Sequence, residues 1–112
     1  MKLESSVFEG VRVLAVAEPV EVDVGNADAF KASALAALGD ERNVVLDVSL
    51  VEFFDSAGMG ALLSLQKRVA ERGGRIALAG VNRAVLEVFR MVGFDVVFPI
   101  YADVATAAAS FR

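Results

Sequence analysis

The sequence predicts one α/β domain with a mostly parallel sheet, and three observations carry that prediction. Short β-branched runs alternate along the chain with segments whose apolar residues recur at helical spacing. Glycines and polar capping residues stand at the changes from one to the other. The length, 112 residues, suits a single domain and leaves little room for a second. Strands alternating with helices imply parallel neighbours joined by right-handed crossovers.

Val11 to Val16 reads as the first strand, and Pro19 ends or bends it before a second alternating run, Val20-Glu21-Val22-Asp23-Val24. Asn26 or Asp28 then caps a helix with Phe30, Ala34, Ala37 and Leu38 on its apolar face and Gly39 as its stop. Val44 to Val48 is nearly continuous in apolar character, the pattern of a central strand covered on both faces. A turn at Ser49 and Leu50 leads into the apolar approach Val51 to Phe54, of which Phe53 reads as core and Phe54 stays open between core and surface. The next helix runs through Met59, Leu62, Leu65 and Val69 to Arg72 and ends at Gly73-Gly74. Arg75 to Ala79 is a strand, and Gly80 to Asn82 turns into a helix with Val85, Leu86, Phe89 and Val92 inward and Gly93 as its stop. Val96-Val97-Phe98, bounded by Pro99, reads as a last strand, and Asp103 caps a closing helix with Val104, Ala107, Ala108 and Phe111 at helical spacing.

Hydrophobic residues make up 56% of the chain and charged ones 23%, which supports a sizeable core. The net charge is −4 and the Lys and Arg residues are dispersed, so direct nucleic-acid binding is disfavoured. The absence of Cys excludes disulfides and thiolate chemistry, and the absence of His removes the commonest metal ligand and general base. A Ser nucleophile thereby lacks its usual activators, and no enzyme, metal or cofactor is expected. The chain has neither a signal-like apolar run nor a stretch of about 18 apolar residues, so no direct membrane contact is expected and the cytoplasm is the default address.

Open α/β sheets place their sites at the carboxyl ends of strands, in the loops leading into helices. Asp55-Ser56-Ala57-Gly58 is such a loop. A Ser just before a helix accepts from the orphan amides of the first turn, and those amides with the helix dipole also favour a phosphate. Gly58 and Gly60 allow close approach to the backbone by another molecule. The same Ser56 also reads as a plain N-cap worth about 1 kcal/mol. Gly58-x-Gly60-x-x-Leu63 lacks the third glycine of a dinucleotide fingerprint, and there is no phosphate-binding Walker pattern. Asp23, Glu52 and Asp55 form a possible Mg²⁺ cluster of the phospho-receiver kind, with solvated carboxylates as the commoner outcome. Met59, Phe53 and Phe54 flank Ser56 either as a docking patch or as packing beneath the loop. Arg83 and Arg90 read as solvated charges on the third helix.

Val44 to Leu63, read as an apolar strand with Asp47, then Val51 to Phe54, then Asp55-Ser56-x-Gly58-x-Gly60-x-Leu62-Leu63, resembles the signature of the STAS family and in particular its stand-alone anti-sigma factor antagonists. Glu71-Arg72-Gly73-Gly74-Arg75 resembles the family's helix-to-strand corner, and Val85 to Phe94 its third helix. The similarity runs from about Val11 to Phe111 within a single domain, 1–112. The expected fold is accordingly a STAS-like domain with a mixed, mostly parallel sheet of four to five strands and about four helices packed mainly on one face.

The resemblance implies that Ser56 is the phosphoacceptor of a partner that is both serine kinase and anti-sigma factor and that brings its own ATP. It implies a partner-binding face of Asp23, Asp55, Ser56, Ala57, Gly58 and Met59, with Asp23 brought there by Val20-Glu21-Val22-Asp23, where Val20 replaces the family's Gly. Ala57 stands where many members carry a second hydroxyl. Unmodified, such a protein would bind the kinase and free a sigma factor or other target; a phosphatase would reset it. The alternative within the same resemblance is an adaptor that is never phosphorylated, such as an accessory subunit of a lipid or anion transport complex.

Overall fold

Val44-Val45-Leu46 is apolar on both sides because both sides are covered: it lies at the centre of a five-stranded sheet in a computed structural model that describes residues 1–112. The order along the chain is β1 (Leu3–Phe8), β2 (Val11–Val16), β3 (Val20–Val22), α1 (Ala27–Ala36), β4 (Val44–Asp47), β5 (Val51–Phe54), α2 (Ser56–Glu71), β6 (Ile76–Ala79), α3 (Arg83–Val92), α4 (Phe94–Val97), β7 (Ile100–Tyr101) and α5 (Val104–Ala109). The main sheet has the order β1-β2-β4-β6-β7. Its β1–β2 pair is antiparallel and the other three pairs are parallel. β3 and β5 pair with each other in parallel, outside the main sheet. The expected α/β class, mixed sheet and predominance of parallel pairing all hold.

Helices α1 to α4 cover one face. Leu14, Val44, Leu46, Ile76 and Leu78 from the sheet meet Phe30, Leu62, Leu65, Val69, Val85 and Phe89 from the helices there. On the other face Val11, Val13, Val45, Ala77 and Ala79 meet Ala107 and Ala108 of α5, where small residues let the helix lie close. A chain of rings crosses the main core. Phe30–Phe54 centroids are 6.5 Å apart, Phe54–Phe89 5.7 Å, Phe89–Phe94 5.0 Å and Phe94–Phe98 5.5 Å, spacings at which aromatic pairs attract. No helix is long and apolar enough to cross a membrane.

Five readings of the sequence are corrected. Strand β1 went unrecognised, because Leu3-Glu4-Ser5-Ser6-Val7-Phe8 is a largely exposed edge with no apolar alternation, and its hairpin turns on Glu9-Gly10 with φ of 52° and 82° rather than on a more typical Asn-Gly. Val96-Val97-Phe98 is not a strand. Phe94 and Phe98, four apart, are both buried, and winding Phe94–Val97 into a helical turn sets the Phe94 ring against Phe89 and the Phe98 ring against Phe94, leaving Val96 86% exposed. The strand begins after Pro99, at Ile100. Val92, expected inward, is exposed, since α3 buries Val85 and Phe89 and closes on the left-handed Gly93. In α1, Asn26 occupies the N-cap position but its side chain makes no cap bond, its Oδ1 accepting from the Asp23 N–H instead, and the helix ends at Ala36, before Gly39.

The fifth correction concerns Phe53, read as core, and the same feature decides Phe54, which the sequence left open. Val20 pairs with Val51 but Glu21 pairs with Phe53, so Glu52 is an extra residue in β5 and the inward–outward alternation slips there. The bulge turns Phe53 outward, 42% exposed, and Phe54 inward, 1% exposed. Phe54→Ala is therefore expected to cost about 3–5 kcal/mol in denaturant unfolding, as for deletion of a buried ring, and Phe53→Ala less than about 1 kcal/mol.

Candidate functional site

Two strand ends build the mouth of α2. β5 delivers Asp55 and Ser56, while β3 delivers the loop from Asp23 to Asn26. The backbones are joined where the Asp55 N–H donates to the Val22 carbonyl at 3.1 Å. Gly58 lies on that same carbonyl: a Cβ at residue 58 would come within 2.4 Å of the Val22 oxygen. Only a glycine lets α2 begin this close to β3.

Asp55, not Ser56, is the N-cap. Its backbone is extended at φ −83° and ψ −173°, and its Oδ1 accepts from the Gly58 N–H at 2.9 Å. Its Oδ2 accepts from the Val24 N–H at 3.0 Å. A carboxylate outcompetes a hydroxyl here because it presents two oxygens to two donors on different segments. Ser56 becomes the first helical residue, and it is exposed. The amides of Ser56 and Ala57 precede the first residue able to bond within the helix, so they point outward beside the hydroxyl.

The expected site residues separate by location. Asp23 is half-buried, and its Oδ1 accepts from Gly25 N–H at 2.9 Å while its carbonyl accepts from Asn26 and Ala27. It thus shapes the loop that Asp55 holds against α2, on the same side as Ser56. Ala57 and Met59 are half-buried and pack against the edge of the main core. Gly58 is buried, so its missing side chain serves internal packing rather than a partner; the open backbone is at Gly60, which is exposed and where an added Cβ would meet nothing. Asp23, Glu52 and Asp55 do not converge as a metal-holding group. Arg83 and Arg90 are exposed, with Arg83 4.0 Å from Glu87.

Two features escaped the sequence reading. Val24 reads as the last residue of an alternating strand, but the strand stops at Val22 and Val24 stands at the tip of the loop. The Gly25-Asn26 pair that follows is the signal of that turn. Asn82 reads as a turn residue, yet its Oδ1 caps α3 at the Val85 N–H, 2.9 Å, and its Nδ2 donates to the carbonyls of Val51 and Glu52 at 3.3 and 3.0 Å. It pins α3 to the bulged strand that carries the site. Beside Ser56, Val24, Lys31, Ala57, Gly60 and Ser64 line an open groove between α1 and α2.

The two glycines of the loop are expected to respond in opposite ways. Gly58→Ala should lose about 1–3 kcal/mol, the range for overpacking a tight contact, whereas Gly60→Ala should gain about 0.5–1 kcal/mol from helix propensity. Urea unfolding of the two variants measures both.

Comparison with known proteins agrees with this architecture. The family model for the STAS domain matches residues 2–107. BtrV of Bordetella bronchiseptica, described as an anti-sigma factor antagonist, is 34% identical over 114 residues, covering 100% of this chain and 96% of that protein. The crystal structure of an anti-sigma-factor antagonist (STAS) domain protein from Planctomyces limnophilus superposes with a TM-score of 0.84 at 24% identity, covering 96% of each chain. The Bacillus cell fate determinant SpoIIAA in its phosphorylated form superposes with a TM-score of 0.69 at 19% identity, covering 99% of this chain and 100% of that one. A five-stranded mixed sheet, a separate β3–β5 pair and a glycine-dependent helix mouth, matched by a family model over residues 2–107, place the chain in the STAS domain family, among relatives named as anti-sigma factor antagonists.

Proposed function

We propose that this chain is a phosphorylation-switched antagonist of an anti-sigma factor. In its unmodified form it binds an anti-sigma factor that is also a serine kinase and releases a sigma factor or other target; phosphorylation of Ser56 ends the binding. The observation that carries this reading is the placement of Ser56, exposed on the first turn of α2 with its cap supplied by its neighbour Asp55. Because Asp55 does the capping, the Ser56 hydroxyl is released from a structural task and stands open to another protein's active site.

The chemistry belongs to the partner. The Ser56 Oγ attacks the γ-phosphorus of ATP held by the kinase, the bond to the bridging oxygen breaks, ADP leaves, and the hydroxyl proton passes to a base of the kinase. The product carries about −1.5 to −2 charge beside the Asp55 carboxylate. Within this chain the outward amides of Ser56 and Ala57 and the positive end of a 16-residue helix offset that charge. At an interface it must be desolvated next to a second anion, and a loss of about 1.4 kcal/mol already weakens binding tenfold. The switch works through charge at a fixed surface and requires no refolding of the domain. A phosphatase that removes the group resets it, and the protein itself performs no catalysis.

Ser56→Asp is expected to weaken binding to the kinase at least about tenfold while Ser56→Ala binds as the wild type does and resists modification. Titration calorimetry measures the first. Intact mass with site mapping after incubation with kinase and Mg-ATP measures the second. Ser49 and Ser64 are also exposed, so modification mapped to either of them, or an unchanged affinity of the Asp variant, would overturn the reading in favour of an adaptor that is not phosphorylated.

A further inference from the structure

The loop after β3 presents an apolar side chain that the fold does not use. Val24 is 83% exposed, yet the backbone around it is fixed at successive residues. The Val24 N–H donates to Asp55 Oδ2 at 3.0 Å, the Gly25 N–H to Asp23 Oδ1 at 2.9 Å, and the Asp23 N–H to Asn26 Oδ1 at 2.9 Å. Asn26 Nδ2 completes the set by donating to the Glu21 carbonyl at 2.8 Å. A single exposed valine is unremarkable on a protein surface, but one held rigidly by four hydrogen bonds beside a docking residue is pre-organised for contact.

Position says which protein it contacts. Val24 shares one groove with the half-buried Ala57 and the exposed Gly60, which follow Ser56 on α2, so a protein seated on Ser56 reaches Val24 on the same face. Asp55 meanwhile commits both carboxylate oxygens inside the chain, Oδ1 to Gly58 and Oδ2 to Val24. We infer that Val24 is an apolar anchor for the same anti-sigma factor that docks on Ser56, and that Asp55 is a positioning residue that acts on this interface through Val24. The inference rests on the docking role proposed for Ser56. Affinity comes from burying Val24 in an apolar pocket of the partner, and the clasp removes the ordering cost that a loose loop would impose on that burial.

Asp55→Asn separates the two jobs of the carboxylate. Asn caps a helix as well as Asp does, but its second polar atom is an NH₂ donor, which cannot accept from the Val24 N–H. Asp55→Ser likewise caps with one oxygen and leaves none for Val24. In amide hydrogen exchange on the isolated full chain, both variants are expected to speed exchange at Val24 at least about tenfold while the Gly58 amide stays protected. In titrations against the tightest-binding member of a panel of purified anti-sigma factors, Val24→Ser and Asp55→Asn are each expected to weaken binding about tenfold, and the double variant no more than Val24→Ser alone. Unchanged exchange at Val24 in both variants, full affinity in Val24→Ser, or additive losses in the double variant would each overturn the inference; additivity would mean that Asp55 touches the partner directly. If Ser56→Asp loses affinity while Val24→Ser keeps it, the anchor fails and the switch stands. If no member of the panel binds the wild type, both fail together.

Discussion

The Val22 carbonyl oxygen is the fixed point around which the site is built. It accepts the Asp55 N–H, which closes the β3–β5 pair, and it lies against Gly58, which sets how near the first turn of α2 comes to β3. Any side chain at residue 58 would push the helix mouth away from the strand. With the two held together, the Asp55 carboxylate is within reach of donors on both, and it caps the helix and clasps the Val24 loop at once. The exposure of Ser56 follows, because the capping task is already filled.

The bulge at Glu52 is the second constraint. By adding one residue to β5 it reverses which of two adjacent phenylalanines points inward. Phe54, next to Asp55 in the chain, is locked among Phe30 and Phe89, so the start of α2 is tied to the centre of the core rather than floating on a surface loop. Asn82 reinforces the same strand from the α3 side. The helix mouth, assembled from two strand ends, is held in place for these reasons, and the switch proposed for Ser56 would act by adding charge to a surface whose shape stays put.

The architecture divides labour between its two faces. Four helices and the ring chain occupy one side of the main sheet and carry the site at the carboxyl end of β5, where open α/β sheets present their loops. The other side needs only α5, because Ala77, Ala79, Ala107 and Ala108 are small enough for close contact. The site is therefore remote from the strip of sheet that the closing helix covers.

Local chemistry made the repeated units legible in the sequence. The continuous apolar run at Val44–Leu46, the cap at Asp103, the left-handed stop at Gly93 and the spacing of Leu62, Leu65 and Val69 each act within a few residues, so each could be read without knowing what lies across from it. The same holds for the position of Ser56 at the start of a helix after a strand, and for the Asp-Ser-x-Gly pattern around it. Tertiary structure alone decided the rest. That β3 leaves the main sheet to pair with β5, and that Glu52 bulges and exchanges Phe53 for Phe54, both depend on partners distant in the chain. So does the choice of Asp55 over Ser56 as the cap: one of its two oxygens serves the neighbouring helix, but the other serves Val24, thirty-one residues away, a donor that no local pattern announces.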